Sequence, residues 1–140
     1  MKQQVLLDTG PLVALINRRD RFHEWVKAEW GKVQPPLLTC EAVLTEACFL
    51  LQGIYGGQEA VITFIRKGIV QISFCLKEEV NRISELLTRY RSVPMSLADA
   101  CLVRMAEQHS EGIVFTLDSD FRIYQRNRNQ FIPVIMPEVG

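Results

Sequence analysis

Four acidic residues, Asp8, Glu46, Asp99 and Asp118, stand where a carboxylate is out of place unless a positive charge sits between them. Asp8 closes the short apolar run Val5-Leu6-Leu7 and Asp118 closes a second run, 112–117, so each stands at the exit of an expected strand. In an open parallel sheet the strand exits share one edge, and ligands bind in the crevice outside it. Glu46 and Asp99 fall on expected helices. At about 100° per residue Glu46 borders the stripe Val43, Ala47, Leu50 and Ile54 and does not read as solvated, while Glu41 falls on the opposite, solvated side. Asp99 shares a stripe with Leu102, Val103 and Ala106, so the packing face of its helix also carries its carboxylate. Buried acids are normally paired or hold a metal, and four converging acids repel one another unless a cation joins them. An oxygen-only donor set points to Mg²⁺ or Mn²⁺ rather than zinc.

Each acid alone has a plainer explanation. Ser96-Leu97-Ala98-Asp99 fits a capping box, Asp8 suits a turn or helix entry ahead of Gly10, and Asp118-Ser119-Asp120 suits a polar turn with an N-cap. Glu46 has no capping role but could snorkel or pair with an arginine. One shared cause accounts for all four more simply than four coincidences.

The elements that must position these acids alternate along the chain. A strand over 5–8 leads into a helix over 12–16 with Pro11 in its first turn, and Asp20 is the expected N-cap of a helix through Phe22, Trp25, Val26 and Trp30. A short strand at 37–39 precedes the Glu46 helix, 40–52, and another helix through Val61, Phe64 and Ile65 is closed by Gly68. Residues 69–76 have strand character. A helix with Val80, Ile83, Leu86 and Leu87 follows, Pro94 breaks it, and Ser96 starts the Asp99 helix. Strands at 113–117 and 133–136 end the pattern. The alternation predicts an α/β domain with a mostly parallel central β-sheet flanked by α-helices, a single domain over 1–140.

Composition narrows the function. The chain has 140 residues and zero net charge, which argues against a broad non-specific grip on nucleic acid. Local grip is still open to two basic groups, Arg18, Arg19 and Arg21 after the first helix and Arg122, Arg126 and Arg128 after Asp118, either as solvated surface or as phosphate contacts beside the metals. Cys40, Cys48, Cys75 and Cys101 show neither zinc nor disulfide spacing and read as small buried hydrophobes in a reducing compartment. No apolar stretch is long enough to span a bilayer, and Met1-Lys2-Gln3-Gln4 enters the first strand directly, so a cytoplasmic protein is expected. His23 and His109 fit no ligand spacing and are expected to have surface or packing roles. Phe22, Trp25, Trp30 and Tyr55 are either core or a partner surface.

Taken in order, Val5-Leu6-Leu7-Asp8-Thr9-Gly10-Pro11, Thr45-Glu46, Ser96-Leu97-Ala98-Asp99-Ala100 and Thr116-Leu117-Asp118-Ser119-Asp120-Phe121 give the chain a resemblance to the PIN-domain family, most of all to its small VapC-type toxins. The resemblance implies a Mg²⁺- or Mn²⁺-dependent ribonuclease, a homodimer and a small antitoxin protein as partner. By matching position Asp8, Glu46 and Asp99 would be the core acids and Asp118 the fourth, with Asp120 its rival in the same turn, and Thr116 would help order the metal-bound water. The expected reaction is hydrolysis of an RNA phosphodiester by metal-activated water, leaving 5′-phosphate and 3′-hydroxyl ends. The alternatives are a non-catalytic PIN-like module that binds protein or RNA, or an RNA-processing nuclease without an antitoxin. Leu7-Asp8-Thr9-Gly10 also looks like the loop of retroviral-type aspartic proteases, but Pro11 and the helical pattern that follows disagree with their β-rich fold.

Overall fold

The unbroken apolar run at the start of the chain is explained by a strand buried on both faces. In the computed structural model, which describes residues 3–138, β1 (Gln4–Leu7) lies at the centre of a sheet. Leu6 packs toward one helical layer while Val5 and Leu7 pack toward the other. A central parallel strand has no wet face, so alternation gives way to a continuous run.

The helices α1 (Thr9–Ile16), α2 (His23–Trp30) and α4 (Gly57–Arg66) cover the Val5 and Leu7 face. The helices α5 (Val80–Arg89) and α6 (Leu97–Gln108) cover the Leu6 face. Between them α3 (Glu41–Leu50) contributes Val43 to one core and Leu44 and Ala47 to the other. The sheet adds β2 (Leu37–Thr39), β3 (Val70–Ile72), β4 (Gly112–Phe115) and, beyond a small antiparallel pair β5 (Gln125–Arg126) and β6 (Gln130–Phe131), the strand β7 (Val134–Ile135). Its order is β3-β2-β1-β4-β7 and every neighbouring pair is parallel. The chain therefore builds outward from β1 in one direction and from β4 in the other. The β1/β4 boundary is the switch point, where an open α/β sheet leaves a crevice at its carboxyl edge.

The expected α/β architecture is present, with shorter edges. Strand pairing over 69–76 shrinks to Val70–Ile72 because β2, its partner among the described residues, is three residues long. Likewise β7 pairs only with Val114 and Phe115. The second helix begins at His23, later than expected. Asp20 is not its N-cap: the Asp20 carboxylate accepts from the Phe22 N–H (2.9 Å) in the preceding turn. Trp25 and Trp30 pack on Phe115, with ring centroids 6.1 and 6.0 Å apart, so they belong to the core; Tyr55 is fully exposed. His23 takes the packing role expected of it, with Nδ1 2.7 Å from the Ala14 carbonyl. Cys40 and Cys101 are buried as expected and Cys48 is half-buried, but Cys75 is exposed because it falls in the connector after the shortened β3. Among the described residues no helix is long and apolar enough to cross a membrane. Met1 and Lys2, expected to lead into the first strand, lie outside the described residues, as do residues 139 and 140.

Candidate functional site

The ladder between β1 and β4 aligns Leu7 with Phe115, and the Asp8 N–H continues it onto the Phe115 carbonyl (3.0 Å). Asp8 is thereby fixed at the carboxyl edge of the switch point. Thr39 strengthens the same edge, its hydroxyl donating to the Leu7 carbonyl (2.8 Å). Asp8 also serves as N-cap of α1, its Oδ1 accepting from the Thr9 N–H (2.7 Å). Its other oxygen, Oδ2, accepts from the Thr116 hydroxyl (2.7 Å). The same hydroxyl oxygen accepts from the Asp118 N–H (2.9 Å), so one buried threonine joins the exits of β1 and β4. Its proton is committed to Asp8. Thr116 therefore positions a carboxylate.

Asp99 reaches the edge from the first turn of α6. The capping box is present: Ser96 Oγ accepts from the Asp99 N–H (3.0 Å), and the Asp99 Oδ2 accepts from the Ser96 N–H (3.3 Å). The Tyr124 hydroxyl donates to that same Oδ2 (3.0 Å). Nothing in the sequence marked Tyr124, which lies 25 positions from Asp99. Asp118 caps the short 3₁₀ turn after β4, with Oδ1 accepting from the Asp120 N–H (2.9 Å).

These groups open into one cavity of about 390 Å³, lined by Asp8, Thr9, Gly10, Glu46, Leu50, Ser96, Asp99, Leu117 and Asp118. All four expected acids line it and Asp120 does not, which favours Asp118 as the fourth acid. Glu46 differs from expectation in one respect: it is exposed. The border of its helical stripe faces the open mouth of the cavity rather than the core. The close approach that shapes the inner wall is made at Gly10, where a Cβ would lie 3.2 Å from Leu117. Grooves of comparable or larger volume elsewhere, about 540 and 580 Å³, gather no such set of acids.

The electrostatics of the cavity are unbalanced. Burial pushes the Asp8 carboxyl up to about 7, the bonds from Thr116 and Thr9 act against this, and the nearby charges of Asp99 and Asp118 raise it further. Burial also raises Asp99, opposed by its bonds from Ser96 and Tyr124 and reinforced by Asp118. Among the described residues no arginine or lysine lines the cavity. Arg18 and Arg19 line a separate groove at the far end of α1, about 12 Å along the helix from Asp8 at 1.5 Å per residue. They do not stand beside the acids. Arg21 stacks on Phe22, with its guanidinium 4.6 Å from the ring centroid. Arg126 turns inward to the Ala106 carbonyl (3.3 Å), leaving Arg122 and Arg128 exposed.

The donor set fits a hard divalent cation: carboxylate oxygens around one cavity, together with the Thr9 hydroxyl, which is buried there without a hydrogen-bond partner. Among the described residues no three acidic, histidine or cysteine side chains already stand close enough to form a coordination sphere, so a cation would draw the carboxylates inward.

The family model described as the PIN domain matches residues 5–127, and the chain belongs to that family. Among solved structures it is similar to VapC20 of Mycobacterium tuberculosis, a toxin that cleaves the sarcin-ricin loop. The TM-score is 0.72 and the identity 24%, over 84% of this chain and 92% of that one. No curated protein matches.

Proposed function

We propose that this PIN domain is a Mg²⁺- or Mn²⁺-dependent endoribonuclease, the toxin of a toxin and antitoxin pair, acting on single-stranded or loop RNA. The observation that carries the reading is the gathering of Asp8, Asp99 and Asp118 at the sheet's switch point, with Asp8 pushed to about 7 and no cationic side chain among the described residues lining the cavity. The structural likeness to VapC20, a sarcin-ricin loop cleaving toxin, supports the choice of substrate.

Asp8, Asp99, Asp118 and Glu46 would hold the cation, which when bound supplies the charge that activates water and steadies the phosphate and its leaving oxygen. The protein's own part is positional. Both oxygens of Asp8 are held, by Thr9 and Thr116, and Asp118 is held through its backbone N–H and its Oδ1. Glu46, exposed at the mouth, keeps the rotamer freedom to swing inward. Because water is the nucleophile, the RNA 2′-hydroxyl has no part in the reaction, and the products carry 5′-phosphate and 3′-hydroxyl ends.

The reading includes a homodimer and a small antitoxin. The exposed apolar residues Phe49, Ile62 and Ile72, around a groove of about 580 Å³, are this chain's own support for a protein partner.

The test is cleavage of a labelled RNA pool by the purified protein with Mg²⁺ or Mn²⁺ and with EDTA, beside Asp8→Asn and Asp99→Asn. The expected outcome is cation-dependent cleavage with 5′-phosphate ends, reduced at least a hundredfold in both folded variants. Cleavage that survives EDTA, or products ending in 2′,3′-cyclic phosphate, would contradict it.

A further inference from the structure

Asp99 can turn only one oxygen toward the cavity. Its Oδ2 takes two donors, the Ser96 N–H at 3.3 Å and the Tyr124 hydroxyl at 3.0 Å, and its Oδ1 takes none among the described residues. The contact with Ser96 belongs to the helix cap and would exist in any helix that begins this way. The contact with Tyr124 is tertiary and needs a separate explanation.

Tyr124 is built to make it. The ring is fully buried, 5.0 Å from Tyr90 and 5.1 Å from Phe121 between centroids, and edge-on to both. The backbone on either side is fixed as well. The Tyr124 N–H donates to the Asp120 carbonyl (3.1 Å), and the next N–H, of Gln125, donates to the Tyr90 hydroxyl (2.8 Å). Phenylalanine would fill the same space among these rings. The hydroxyl therefore serves something other than packing, and the atom it meets is a carboxylate at the cavity wall. The segment that carries Tyr124 follows directly from the turn capped by Asp118, so one stretch of chain sets two of the four acids.

We propose that Tyr124 is a positioning residue of the acid cluster: it holds Asp99 Oδ2 against the protein so that Oδ1 is presented to a bound divalent cation. This rests on the reading of the acids as a cation site. Partners that orient a ligand from behind commonly govern affinity about tenfold or more.

The test is calorimetric titration of the metal-free protein with Mn²⁺, without RNA, for the wild type, Tyr124→Phe, Tyr90→Phe, Asp99→Asn and the Tyr124→Phe/Asp99→Asn double variant, each with its melting temperature. Tyr124→Phe is expected to bind Mn²⁺ about tenfold more weakly. Tyr90→Phe, which removes a hydroxyl from the same aromatic cluster without touching Asp99, is expected to lower the melting temperature and to weaken Mn²⁺ binding less than Tyr124→Phe does. In the Asp99→Asn background Tyr124→Phe is expected to change nothing further, because its effect passes through Asp99. Equal affinity in wild type and Tyr124→Phe overturns the proposal, as does an undiminished effect in the Asp99→Asn background. A wild type that binds no Mn²⁺ overturns the cation site itself, a result distinguishable from failure of the positioning role alone.

Discussion

Asp8 shows what a proposed cation ligand asks of a stable fold. Its folded carboxyl lies near 7, far above the roughly 3.9 of an unfolded aspartate, with burial the largest cause and the charges of Asp99 and Asp118 adding to it. A raised value means that the metal-free folded state prefers the protonated acid. The associated stability is fully present below about pH 4 and is lost as the pH rises through 7. Asparagine is nearly the same shape, can still accept from the Thr9 N–H, and carries no charge. Asp8→Asn should therefore melt higher than the wild type in EDTA at pH 8, by about 3 °C for each kcal/mol of relieved repulsion, with the advantage shrinking toward pH 5. Scanning calorimetry at the two pH values checks this. A variant that melts lower at pH 8 would mean that Asp8 is held for structure rather than for a cation. Thr116 and Tyr124 belong to the same scale: neither carries charge, and each is joined to a carboxylate by a hydroxyl. Sequence spacing found Thr116 only through the family motif and did not find Tyr124, because a contact across 25 residues leaves no local pattern.

Among the elements, α6 carries two duties at its two ends. Its first turn gives Asp99 to the cavity: Oδ2 serves the expected helix cap while the residue lines the cavity. Its last turns anchor it to α5. Glu107, whose side chain is 2% exposed, takes two bonds from Arg82 (2.9 and 2.7 Å), one from Arg104 (3.3 Å) and one from the Asn127 N–H (2.7 Å). Burial alone would raise its carboxyl, but Arg82, the Asn127 N–H and Arg104 together hold it below the ordinary range. A depressed value gives stability that is present above the unfolded glutamate range, about 4.3, and lost as the pH falls through the folded value. Glu107→Gln leaves Arg82 half-buried without its main partner and should cost about 3 kcal/mol at pH 7, and less as the pH drops below 4. Urea unfolding across that range tests it; a cost independent of pH would contradict the ion-pair account. Helices were legible in the sequence because their stripes are long. Strand ends were less so: apolar residues continue past Ile72 and Phe115, but the ladder stops where the neighbouring strand does, a limit that one segment's sequence does not contain.

For the whole molecule the order of strands matters most. The sequence indicates two strands that end in acids. That β1 and β4 are neighbours, and that their boundary is the switch point, is a property of the assembled sheet. The resemblance to the PIN domain anticipated the convergence, and the cavity brings Asp8, Glu46, Asp99 and Asp118 to one wall. What periodicity misjudged was Glu46, because a wheel separates the apolar stripe from the opposite side and has no third category for a border that faces a cleft. For the two basic groups the sequence left solvated surface and phosphate contact both open. Adjacency along the chain set Arg18 and Arg19 near Asp8, but the length of α1 carries them away from it.

The central claim is that this wall of acids holds a divalent cation at the switch point. The most direct measurement is the anomalous diffraction of manganese in crystals grown with Mn²⁺. The account predicts a peak between Asp8, Asp99 and Asp118, with Glu46 drawn in toward it and the Asp99 Oδ1 nearer to it than Oδ2. A cavity without manganese at saturating concentration, or a peak held by other residues, would contradict it.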